Sequence, residues 1–150
     1  MPNESITEED VADLVRRCAD AAVAFIRGDM RGYVGLIRHA EDYTLLPPFG
    51  GAPRQGFDSS DDALVEMSRF FTAGEAEVEL VQSYVSGDLV VLVLIERQHG
   101  EVGGLPDQDW SMRVTLVFRR DGDSWRLAHR HADPLMHEMG LNRVAEIARG

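Results

Sequence analysis

The chain has 150 residues, 44% of them hydrophobic, which suits one domain over residues 1–150 built around one core; no stretch reads as a linker, repeat or low-complexity segment. Acidic residues outnumber basic ones 26 to 15, and the resulting net charge of −11 argues against nucleic-acid or membrane binding. The longest apolar run, Leu89–Ile95, is too short to cross a bilayer, and the polar start Met1–Asp10 is unlike a secretory leader, so a soluble cytoplasmic protein is expected.

Val11, Leu14, Val15, Cys18, Ala22, Phe25 and Ile26 recur at helical spacing and predict a long amphipathic helix. Ser5 followed by Glu8 reads as its capping box, and Gly28 is placed to end it. Cys18, the only cysteine, falls within the apolar stripe and reads as a small core residue. Asp29 can cap a second, shorter helix carrying Met30, Tyr33, Val34 and Ile37. A short strand, Tyr43–Leu46, runs into a loop with Pro47, Pro48, Gly50, Gly51, Pro53 and Gly56. Ser59 or Ser60 then opens a third helix holding Leu64, Met67, Phe70 and Phe71.

Four strand signals follow: Val78–Val85, Leu89–His99, Trp110–Arg120 and Ser124–His131, each with β-branched or aromatic residues between turn signals. Asp121-Gly122 is a hairpin signal, because the favoured two-residue turn needs positive φ. Residues 134–150 read as a C-terminal tail or short helix. This order predicts an α+β fold: a cone-shaped, curved antiparallel sheet wrapped around three N-terminal helices, with a pocket at the open end.

That order resembles the nuclear transport factor 2-like (cystatin-like) superfamily over nearly the whole chain. The segment HAEDYTLLPPFGGAPRQG, His39–Gly56, is similar to the stretch of ketosteroid isomerases in which an Asp-Pro-Phe-Gly loop carries the base. The segment RVTLVFRRDGDSWRLAHRHADP, Arg113–Pro134, resembles the last hairpin of SnoaL-like proteins and of the calmodulin-dependent kinase association domain. The isomerase's own groups are absent: Pro47 stands at the position of the base, Ala21 near the first-helix tyrosine and Thr115 near the strand carboxylic acid. Proton abstraction beside a carbonyl needs a base and an enolate-oxygen donor, so the resemblance implies the scaffold without that chemistry.

In the families resembled, the position of Thr115 lines the cavity. With Asp121-Gly122 as a two-residue loop, Thr115 lies opposite Ala128 and Arg113 opposite Arg130. The expected pocket is therefore lined by Val91, Val93, Ile95, Arg97, Arg113, Thr115, Ala128 and Arg130. Its arginines match carboxylates and phosphates, and they can equally pair with Asp13, Asp20 or Glu96. His129, His131 and Asp133 share one strand face, and the same register puts both histidines on the outer side with Trp110, Met112, Val114, Leu116, Phe118, Trp125 and Leu127. That apolar row predicts a homodimer through the outer sheet face. An HxH pair alone is a weak metal signal, so no metal is expected, and the resemblance implies a family that usually works without a cofactor.

The expected function is binding of a small organic molecule, anionic or polar. Catalysis as a cofactor-independent isomerase, cyclase or dehydratase is left open, with Asp42, Tyr43, His99, His129 and His131 as acid–base candidates. The alternative is an assembly module that oligomerises without turnover, as in the kinase association domain.

Overall fold

Thr7 opens the first helix, α1 (Glu8–Ile26), in the computed structural model, which describes residues 4–150. Met1–Asn3, the first part of the polar N-terminal stretch, lie outside the described residues. The Thr7 hydroxyl accepts from the Asp10 N–H at 3.1 Å, and the Asp10 carboxylate accepts from the Thr7 N–H at 2.9 Å. This reciprocal pair is the capping box, two residues beyond the expected Ser5–Glu8. α1 buries Leu14, Cys18, Ala21 and Ile26 on the face that the spacing predicts.

Gly28 ends the helix with φ 77°, and a Cβ there would stand 2.1 Å from the Phe71 carbonyl oxygen, so only glycine fits. Asp29 caps α2 (Met30–Leu36) by accepting from the Gly32 N–H at 3.0 Å. Ser60 caps α3 (Asp61–Phe70).

The strands are β1 (His39–Leu46), β2 (Arg54–Gln55), β3 (Phe71–Ser86), β4 (Leu89–Val102), β5 (Gln108–Asp109), β6 (Met112–Asp121) and β7 (Ser124–Pro134); α4 (Leu141–Arg149) follows. They form one sheet in the order β2-β1-β7-β6-β4-β3, with β5 attached to β4. The pairings are antiparallel except β1 with β7, which run parallel. No helix among the described residues is long and apolar enough to cross a membrane.

The inner face of the sheet meets the helices. Val90, Leu92, Leu94, Val114, Leu116, Phe118, Leu127 and Ala132 are buried there with Leu14, Cys18 and Ala21 of α1. The apolar row that suggested a dimer contact is therefore core: Leu116 and Phe118 are under one subunit's own helices, and Met112 and Trp125 pack against the same cluster.

Two details of the last hairpin overturn the expected register. The turn is Gly122-Asp123, since Asp121 pairs with Ser124 and Arg120 with Trp125. Further along, Leu127 pairs with Phe118 but His129 with Val117, which leaves Ala128 as the extra residue of a β-bulge. A bulge shifts the alternation by one, so every later residue changes face relative to an unbulged count. Thr115 thus lies opposite His131, Arg113 opposite Asp133, and Leu116 opposite Arg130.

Candidate functional site

On β4 the buried residues alternate as Val90, Leu92, Leu94 and Glu96, so a carboxylate stands in phase with the aliphatic wall. Opposite Leu116, Arg130 of β7 also points inward. Its Nη1 donates to Glu96 Oε1 at 2.9 Å and its Nη2 to Glu96 Oε2 at 3.0 Å, a two-bond pair with Glu96 at 7% side-chain exposure and Arg130 at 21%. Burial works against the Arg130 charge, but Glu96 outweighs it and holds the guanidinium proton more tightly than usual. The expectation that an arginine finds Glu96 as a partner is met.

Around this pair stand aromatic rings. Tyr33 of α2 bonds through its hydroxyl to His39 Nε2 of β1 at 3.1 Å. Tyr43, two turns of the β1 alternation beyond His39, meets the His39 ring edge-on at a centroid distance of 4.6 Å. Phe57, from the loop between β2 and α3, lies flat on His39 at 3.8 Å with an interplanar angle of 9°. Burial pushes the His39 imidazole down to about 4, with the Arg130 charge adding to the effect, so the ring is neutral at ordinary pH. Burial raises both phenols; at Tyr33 the Tyr43 phenol adds to it, and at Tyr43 the Arg130 charge partly offsets it. Burial likewise lifts the Cys18 thiol to about 12, with Glu96 adding, so Cys18 is no thiolate nucleophile.

Two donors in this region lack a protein acceptor among the described residues: the Arg130 Nε edge and the Tyr43 hydroxyl. No side-chain nitrogen or oxygen among those residues is both sealed from solvent and unpaired, so both donors are reached by solvent. They can donate to an oxygen of a small molecule, beside an imidazole that burial keeps neutral.

Most of the residues proposed from the sequence lie elsewhere. Val91, Val93, Ile95, Arg97, Arg113 and Thr115 are on the outer face, because their inner neighbours are the buried even-numbered positions of β4 and β6. Ala128 sits in the bulge, and only Arg130 of that set faces inward. Arg97 pairs with Glu79 at 2.9 Å. Arg113 and Arg130 are thus on opposite faces, not side by side.

Among the acid–base candidates, Tyr43 alone lies inside. Asp42 is exposed and takes two bonds from Arg119, at 3.1 and 3.2 Å, which hold its carboxyl below the usual range. His99 is exposed between Asp107 at 2.9 Å and Glu75 at 3.4 Å, and the Asp107 bond raises its pKa. His129 and His131 are on the outer face with Val117 and Thr115, whereas the apolar row they were expected to join lies on the inner face. His129 Nδ1 meets the Thr44 hydroxyl at 2.7 Å, and His131 Nε2 meets Asp133 at 3.0 Å. Among the described residues no three His, Cys, Asp or Glu side chains are grouped to hold a metal.

Of the isomerase positions, Pro47 and Ala21 are buried and Thr115 faces outward; its inner neighbours are the apolar Val114 and Leu116. Sequence reasoning missed Glu96, Tyr33, His39 and Phe57 as a group. The signal available was Glu96 itself, a charge placed in step with Val90, Leu92 and Leu94.

Residues 56–136 match the family model of the SnoaL-like domain. No curated protein matches the sequence. Among solved structures, a candidate dehydratase of the nuclear transport factor 2-like family from Streptomyces avermitilis is 22% identical, with a TM-score of 0.64 over 87% of this chain and 99% of that one. The calmodulin-dependent kinase II hub homology domain of Chlamydomonas reinhardtii is 17% identical, with a TM-score of 0.59 over 84% of this chain and 98% of that one. A domain of unknown function with a cystatin-like fold from Nostoc punctiforme is 13% identical, with a TM-score of 0.65 over 95% of this chain and 86% of that one. At such identities the likeness establishes the fold.

Proposed function

Because the chain belongs to the SnoaL-like domain family, we propose that it binds a small organic molecule inside the cone, anchoring a carboxylate or carbonyl oxygen of that molecule. The observation that carries this reading is the pair of donors without protein acceptors, Arg130 Nε and the Tyr43 hydroxyl, in a region otherwise walled by aromatic rings. Apolar walls and a few placed polar groups are the usual make-up of a small-molecule site; here Phe57 fills the space over His39, so a ligand enters by displacing that ring. Glu96 fixes the guanidinium through its other edge, so the free edge is presented without loss of side-chain freedom on binding. The net charge of −11 supports a ligand held inside, in a cytoplasmic protein, over a nucleic acid or membrane held outside.

A library of small carboxylates and ketones, screened by thermal shift, tests the reading. Compounds that bind only the folded state raise the melting temperature of the wild type. The reading expects that gain to shrink in Tyr43→Phe, and it fails if no compound gives a gain dependent on Tyr43.

A second reading, an assembly module, is favoured by the likeness to the kinase hub domain. It draws on the outer sheet face, where Val91, Val93, Ile95 and Val117 are half-buried and flanked by exposed Tyr84. A homodimer through that face is compatible with either reading, whereas a large ring in solution favours assembly.

A further inference from the structure

Between Phe49 and Ser60 every residue is exposed except Phe57, whose ring alone turns inward to pack against the core. The main chain before it is tied to β1 by the short pairing of β2, Thr44 with Gln55 and Leu45 with Arg54. Gly56 has φ 77° with nothing within 4 Å of where a Cβ would be, and its N–H makes one bond, 2.7 Å, to the Tyr43 carbonyl. The ring lies parallel to His39 at 3.8 Å, with Tyr33 at 6.0 Å and Tyr43 at 6.4 Å. A phenyl ring carries no oxygen, so it completes the aromatic box while leaving the Arg130 and Tyr43 donors unanswered.

Resting on the reading of the cone interior as a binding site, we infer that the Phe57 ring occupies the place of a flat ring of the ligand, and that the site takes an aromatic carboxylate, with its ring on His39 and its carboxylate on Arg130 and Tyr43. Such a molecule carries both a ring for the stacking surface and an acceptor for the two donors. The neutral His39 face offers stacking without a charge that would need its own counter-ion, and the guanidinium fork suits a carboxylate.

The test is calorimetric titration of the full chain with 2-naphthoate and with decahydro-2-naphthoate, which has the same skeleton and charge but is not flat. The inference expects 2-naphthoate to bind at least about tenfold more tightly, and the His39 ring protons to shift on binding. Removing the competing ring in Phe57→Ala is expected to tighten naphthoate binding about two- to tenfold, the worth of one aromatic pair. Phe57→Leu, which keeps apolar bulk and the fold, is expected to tighten it in the same direction. Equal binding of the two carboxylates, absence of naphthoate binding, or weaker binding in both Phe57 variants overturns the inference. Tyr43→Phe separates this failure from that of the broader reading: carboxylate binding that weakens in Tyr43→Phe but ignores ring flatness keeps the cone site and rejects the ring surrogate. Naphthoate binding unaffected by Tyr43→Phe rejects both.

Discussion

Arg130 on β7 reaches across β6 to Glu96 on β4, with Nη1 2.9 Å from Oε1 and Nη2 3.0 Å from Oε2. One ion pair thereby ties three strands together on the face that the helices cover. Two charges taken out of water repay their desolvation only while they remain together.

Cutting one partner should therefore cost far more than replacing both. Arg130→Met leaves the Glu96 carboxylate buried without its counter-ion and is expected to destabilise by about 3 to 5 kcal/mol. The double variant Arg130→Met with Glu96→Leu is expected to recover most of that loss. Urea denaturation of the three proteins measures both; equal stability of the single and double variants would show that the pair is not coupled.

His39 makes stability depend on pH. Its folded pKa, about 4, lies below the ordinary 6.5, so the unfolded chain binds the proton more readily. The neutral ring's contribution is complete above about pH 6.5 and is lost as pH falls toward 4, on the order of 3 kcal/mol in all. His39→Gln is expected to flatten the stability profile between those values, as read by denaturation at a series of pH values. An unchanged slope in that variant would assign the titration to another group.

Gly28 tolerates no side chain. At φ 77° and with the Phe71 carbonyl 2.1 Å from the position of a Cβ, Gly28→Ala combines a disfavoured backbone with a clash against main chain. A loss of at least about 2 kcal/mol is expected. Gly35→Ala, in α2 where a Cβ meets nothing within 4 Å, is the control and should hold or slightly raise the melting temperature.

The proposed outer-face dimer turns on Val93, which sits between Gln82 and Thr115 at the middle of that face. Val93→Arg should give monomers by sedimentation while the fold is retained, since the side chain points away from the core. A dimer that survives this change does not use the face. A charge at Leu116 would test the fold and not this face, because Leu116 is core.

By itself the sequence determined the order of elements, the α+β class and the helix boundaries within a few residues, because helical periodicity, capping residues and Gly28 act over a turn or two of chain. It also named Glu96 among the partners open to an arginine. Tertiary structure alone decided the faces of the pocket strands. The faces of β4 and β6 were expected from the resemblance, which placed Thr115 inside where the structure has it outside, and the faces of β7 then depended on the bulge at Ala128, which has no local residue signature. That single extra residue sent Arg130 inward to Glu96 while Arg113 stayed outside against Asp133. The cluster of Tyr33, His39, Tyr43 and Phe57 was likewise beyond reach, since its members come from a helix, a strand and a loop that meet only when the sheet closes over α1 and α2.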